Sequence, residues 1–211
     1  HQSINPPLIA LGQPGLRHYE PAYADELAAM MEESFRLIDD PKGESTYLRL
    51  STRSIDQVER ADDGWREGAL AGGYWLREPS ANSEAAIVAM GTVMPEALAA
   101  WEELKEDVPG LGLLSVTSPD LLHRGWTAAQ GARWGGARNS SHVEQLLSRV
   151  APQMSAACWN AISRCCPNVV PGFPPTGAAG VGSLNPSPAP SVLIIWIVAP
   201  AKALPEQPRT T

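Results

Sequence analysis

Two runs in the middle of this chain restrict its fold more than anything else in it. Ala85 to Met90 reads AAIVAM without a polar residue, and Leu111 to Thr117 reads LGLLSVT. A strand that is apolar on both faces has to be covered on both sides, and that is the habit of strands in parallel sheets. The residues between the runs supply the crossover that a parallel pair requires. Gly91-Thr92 makes a turn, Pro95 and Glu96 suit the first turn of a helix, and Leu98, Trp101 and Leu104 form its apolar stripe. Pro109-Gly110 then ends the helix. The reading is a strand–helix–strand unit, and the class is α/β.

The flanks extend the pattern. Residues 16–38 read as a loop entering a helix, with Pro21 in its first turn and Asp25 and Glu26 at its positive end. Tyr23, Leu27, Met30, Met31, Phe35 and Ile38 recur at helical spacing and predict one apolar face. Asp40-Pro41-Lys42-Gly43 is a turn, Thr46 to Ser51 alternates as a strand, and Gly73 to Arg77 reads as another short strand. Ser118 is a predicted N-cap, and Ser141-His142-Val143-Glu144 has the capping-box pattern, followed by inward-facing Val143, Leu146, Leu147 and Val150.

The chain changes character near residue 150. Residues 1–150 carry 13 basic and 22 acidic residues, whereas residues 151–211 carry only Arg164, Lys202, Glu206 and Arg209. The second part also holds 11 of the 20 prolines and all three cysteines. It reads as irregular, and its run Val192 to Val198 as an apolar segment without a designed partner. The acidic balance of the first part excludes nucleic acid or an anionic membrane as the main partner, since both need clustered Lys and Arg. Val192 to Val198 is too short to span a bilayer as a helix. The lack of a cysteine before residue 158 fits a cytoplasmic protein. Cys158, Cys165 and Cys166 lack the paired spacing of a zinc site, so no metal is assigned to them.

Two segments carry a resemblance. His18-Tyr19-Glu20-Pro21-Ala22-Tyr23-Ala24-Asp25-Glu26 and Tyr47-Leu48-Arg49-Leu50-Ser51-Thr52-Arg53 resemble the pyrimidine-binding module of thiamine-diphosphate enzymes of the transketolase superfamily. The likeness continues through Val116-Thr117-Ser118-Pro119-Asp120 and Ser141-His142-Val143-Glu144. It is strongest toward the homodimeric decarboxylating component of the pyruvate dehydrogenase complex and its transketolase-like relatives. It implies the second half of a transketolase-type pyrimidine-binding module over residues 1–78, a linker over 79–84, and the first half of the carboxy-terminal α/β module over 85–150. Residues 151–211 are then a foreign ending.

The family uses thiamine diphosphate, held through magnesium, as an electron sink for decarboxylation or ketol transfer. The resemblance implies a homodimer and, for a pyruvate dehydrogenase, a lipoyl-bearing acyltransferase as acceptor. The Gly-Asp-Gly…Asn motif for the metal-held diphosphate is not in this sequence, so this chain alone is expected to bind the cofactor poorly. His1-Gln2-Ser3 resembles the family's Thr-His-Gln loop, which makes His1 the catalytic candidate, facing the substrate. Arg53 lies one residue away from the place where transketolases carry a phosphate-binding arginine, which makes it a weaker substrate-binding candidate and favours a small 2-oxo acid over a sugar phosphate. The readings are a fragment of a pyruvate-decarboxylating enzyme, a fragment of a transketolase, or a non-catalytic interaction module. His18 and Glu20 read as shaping the loop before the helix, and His123 and His142 as structural.

Overall fold

The computed structural model describes residues 12–81, 83, 85–150 and 196–198. The elements are β1 (Leu16–Tyr19), α1 (Ala24–Ile38), β2 (Ser45–Leu48), α2 (Trp65–Ala71), β3 (Gly73–Arg77), β4 (Ala86–Met90), a 3₁₀ turn (Gly91–Val93), α3 (Met94–Leu104), β5 (Gly112–Val116), α4 (Pro119–Trp134), α5 (His142–Leu147) and β6 (Trp196–Val198). They form an α/β fold with two small sheets. β1 and β2 pair in parallel, from Leu16 opposite Ser45 to Tyr19 opposite Leu48, with α1 as their crossover. The other sheet has the order β3-β5-β4-β6.

The strand–helix–strand unit read from the two apolar runs is present. β4 and β5 run parallel, from Ala86 opposite Gly112 to Met90 opposite Val116, and α3 connects them. Alternate residues of the two strands feed two cores. Ala86, Val88, Leu114 and Val116 pack with Leu122 of α4 and with Val143, Leu146, Leu147 and Val150. Ile87, Ala89, Leu111 and Leu113 pack with Met94 and Ala97 of α3 and with Ala22 and Tyr23. Each fully buried side chain such as Ile87, Leu113 or Leu114 contributes about 1.5–3 kcal/mol. The caps are as read: the Leu121 amide donates to Ser118 Oγ at 3.2 Å, and Ser141 and Glu144 close a capping box.

Several elements differ from the sequence reading. β3, placed with the first 78 residues, pairs antiparallel with β5 and so completes the second sheet. Trp65–Ala71, to which the sequence reading assigned no element, is the helix α2, stopped by Gly72 in the left-handed region at φ 114°. The predicted single apolar face of α1 splits in two. Met30 and Leu37 are buried, while Met31, Phe35 and Ile38 face solvent. Helical spacing fixes which residues share a side, but only the neighbours decide which side is covered. Trp196–Val198 also departs from expectation. These residues form β6, antiparallel to β4 with Val198 opposite Ala86 and Trp196 opposite Val88, so this end of the apolar run does have a partner. The outer edge of β4 offers unpaired backbone groups, and an uncharged extended segment satisfies them. The remaining residues of the tail, with the three cysteines, lie outside the described residues.

Candidate functional site

The carboxyl ends of β1, β2, β4 and β5 converge, which is where open α/β folds build ligand sites. The Glu20 amide, just past β1, donates to the Thr117 carbonyl at the end of β5 at 2.8 Å. The Arg49 amide, just past β2, donates to the Tyr19 carbonyl at 2.9 Å. Because side chains alternate along an extended chain, His18 of β1 and Glu20 just past it share one face, and Tyr47 of β2 and Arg49 just past it share the matching face.

Glu20 is buried, and its Oε1 accepts from Arg49 Nη1 at 2.7 Å while Oε2 has no partner among the described residues. The carboxylate rests on Gly91, the first residue after β4. Gly91 has φ 62°, and a Cβ there would lie 2.5 Å from Glu20 Oε1, so the position requires glycine on two counts. His18 is only 1% exposed, with neither ring nitrogen hydrogen-bonded among the described residues. Its ring leans on that of Tyr47, with centroids 5.2 Å apart. Burial, and then the nearby Arg49 guanidinium, push its pKa down to about 4, so the ring is neutral at pH 7. Both residues, read as loop formers, therefore lie at the core of the strand-end cluster. The signal was present in their period-2 spacing after a glycine turn, but a four-residue strand is too short for periodicity to declare itself.

Arg53 stands further out on the same side, half exposed. Its guanidinium pairs with Glu96 in the first turn of α3 at 2.5 Å and reaches the Thr92 carbonyl at 3.4 Å. The pair holds the segment after β2 against the turn that follows β4. His1 lies outside the described residues.

A second polar cluster surrounds the start of α1. Glu26 is fully buried. Its Oε2 accepts from the Ala22 and Tyr23 amides at 2.7 and 3.2 Å, and its Oε1 from the Tyr74 hydroxyl at 2.5 Å. Arg60 donates to Asp25 at 2.6 Å and lies 4.4 Å above the Trp65 ring. Burial raises the Glu26 carboxyl above the usual range and lifts the Tyr23 phenol to about 12. This cluster ties α1 to β3 and to the loop before α2. A cavity of about 620 Å³ opens beside it, between α2, β3 and α5. Tyr74 and His142 are among its lining. His142, read as structural, sets Nε2 2.7 Å from the Gly73 carbonyl. None of Glu20, Arg49 and Arg53 lines that cavity.

The chain is similar to two curated proteins, each called "Pyruvate dehydrogenase E1 component". One, from Mycolicibacterium smegmatis, is 29% identical over 193 residues, which cover 86% of this chain and 21% of that protein. The other, from Pseudomonas aeruginosa, is 29% identical over 156 residues, covering 70% of this chain and 17% of that protein. This similarity supports a relationship to thiamine-diphosphate enzymes. The chain spans about a fifth of the length of these relatives. No family model matches it.

The likeness to these two relatives implies thiamine diphosphate as the cofactor of that family. The described residues do not fit that group. Among them no three His, Cys, Asp or Glu side chains converge on a metal position, and the two arginines at the strand ends already neutralise Glu20 and Glu96. Among the described residues no helix is long and apolar enough to cross a membrane.

Proposed function

We propose that this chain is a portion of a pyruvate dehydrogenase-like enzyme that decarboxylates pyruvate and passes the two-carbon unit to a lipoyl acceptor. In this reading it supplies the second half of the pyrimidine-binding module, over residues 1–78, and the start of the carboxy-terminal module, over 85–150. The observation that carries the reading is the 29% identity to the Mycolicibacterium protein, sustained over 193 residues. The offset of Arg53 by one residue from the phosphate-binding arginine of transketolases favours a small 2-oxo acid over a sugar phosphate. His1 is the substrate-facing acid–base group, and thiamine diphosphate with magnesium is seated by the rest of the assembly, which is homodimeric.

The test has two arms. The chain alone is expected to show no pyruvate decarboxylation and no rise in Tm with thiamine diphosphate and magnesium, since a ligand that does not bind the native state cannot stabilise it. Supplemented with a polypeptide carrying the remaining amino-terminal part of such an enzyme, it is expected to turn over pyruvate. His1→Ala is then expected to cut that turnover by about 10²–10⁴-fold with little change in cofactor affinity. Turnover or a saturable Tm shift with the chain alone refutes the division of labour. A supplemented mixture that acts on sugar phosphates and not on pyruvate refutes the substrate.

A further inference from the structure

Residues 49–64 join β2 to α2 with neither helix nor strand. In a compact fold a connection of more than about 12–15 residues without structure of its own is uncommon, and an ordered one usually serves as a lid or a binding loop. This one leaves the carboxyl end of β2, on the side where open α/β folds build ligand sites. Among the described residues, residues 50–62 make no backbone–backbone hydrogen bond. Side chains alone hold them to the fold.

The two ends of the segment are held unequally. Toward α2, Arg60 donates to Asp25 through Nε at 2.6 Å and to the Tyr74 hydroxyl at 2.9 Å. Its guanidinium lies 4.4 Å from the Trp65 ring and 5.3 Å from those of Tyr23 and Tyr74, and the side chain is only 15% exposed. Toward β2 the ties are weaker. Arg53 pairs with Glu96 through side chains that are 50% and 38% exposed, and reaches the Thr92 carbonyl at 3.4 Å. Gln57 Oε1 accepts from the Ala24 amide at 2.7 Å in an exposed hydrogen bond. Ile55 and Val58 rest half-buried on the core that includes Ala22, Tyr23, Val93 and Met94. Ala24 opens α1 after β1, whereas Thr92 and Glu96 follow β4. The segment therefore crosses the strand ends from one side to the other.

We infer that residues 50–58 are a lid over the strand ends, with Arg49 and Arg60 as its fixed ends and the Arg53–Glu96 pair as its latch. Arg49 is fixed because its amide donates to the Tyr19 carbonyl and its guanidinium to Glu20. Lifting the lid parts Arg53 from Glu96 and Thr92, Gln57 from Ala24, and two half-buried apolar side chains from the core, and it breaks no backbone–backbone bond among the described residues. A segment tied so lightly opens at a small fraction of the free energy of global unfolding. The open lid admits a ligand to the apolar floor under Ile55 and Val58 at the strand ends.

Two measurements on the full chain under native conditions follow the lid. One is tryptic cleavage after Arg53, compared with cleavage after Arg60, with the fragments identified by mass. The other is hydrogen exchange of the Ala24 amide, whose partner is the Gln57 side chain. Cleavage after Arg53 is expected at a rate insensitive to low urea, whereas cleavage after Arg60 waits on global unfolding and rises steeply with urea. Glu96→Gln is expected to speed cleavage after Arg53 and exchange at Ala24 by the same factor, about two- to fivefold for an exposed pair, with little change in Tm or in cleavage after Arg60. Arg53→Gln is expected to speed Ala24 exchange equally, and it supplies the comparison if Glu96→Gln lowers Tm. The inference is overturned if Ala24 exchange ignores the loss of the latch, because residues 50–58 then do not move as one piece. Cleavage after Arg53 that tracks global unfolding overturns it too, as does cleavage after Arg60 that matches the rate after Arg53. No readout depends on catalysis, so the lid stands or falls apart from the proposed function.

Discussion

Lowering the pH from 7.5 to 5 is expected to destabilise the fold through His18 in particular. The folded-state pKa of this ring is about 4, against an ordinary value of 6.5, because the ring is buried and faces Arg49. At pH 7.5 the ring is neutral in both states and contributes no pH dependence. As pH falls through 6.5 the unfolded chain takes up a proton that the folded chain refuses, so stability drops until the folded pKa is passed. The gap between about 4 and 6.5 corresponds to about 3 kcal/mol, of which about 0.8 kcal/mol is lost by pH 6 and about 2 kcal/mol by pH 5. Carboxylates also begin to titrate near pH 5, so the decisive quantity is a difference. Urea unfolding is measured from pH 7.5 to 5 for the natural chain and for His18→Phe, which keeps a ring against Tyr47 and cannot be protonated. The variant is expected to lose about 2 kcal/mol less over that range. It also removes two buried nitrogens that have no hydrogen bond among the described residues, so its stability at pH 7.5 is expected to match or exceed that of the natural chain. Parallel pH curves for the two proteins would refute the reasoning, because they would mean that His18 is solvated or partnered in the folded state.

Two further substitutions probe the same surroundings. Gly91→Ala is expected to cost about 1–3 kcal/mol in urea unfolding, from the left-handed backbone and the collision with the Glu20 carboxylate; a neutral result would mean that Glu20 is not seated there. Glu26→Ala is expected to cost about 3 kcal/mol or more, since it leaves two amides and the Tyr74 hydroxyl short of an acceptor and removes the carboxylate 3.6 Å from Arg60; a loss below about 1 kcal/mol in the same assay would contradict that network.

The sequence by itself determined whatever depends on local periodicity and caps. The two apolar runs specified a buried parallel pair because such strands have nowhere to lie except between layers. Ser118 and Ser141 announced helix starts because their hydroxyls satisfy amides only a few residues away. The two segments around Tyr19 and Arg49 carried the likeness to thiamine-diphosphate enzymes in residues that can be read one by one. The tertiary structure decided whatever depends on who the neighbours are. β3 joined β5 rather than the strands preceding it, because strand pairing is settled by backbone edges brought together from distant positions. Met31, Phe35 and Ile38 turned outward while Met30 and Leu37 turned in, although all five are apolar residues of one helix. His18 and Glu20 became a buried pair at the strand ends only when β1, β2 and the turn at Gly91 met, and Arg53 was committed to Glu96 by the same meeting. Burial and charge pairing are properties of that assembled environment, and a linear order of residues specifies them only through the fold.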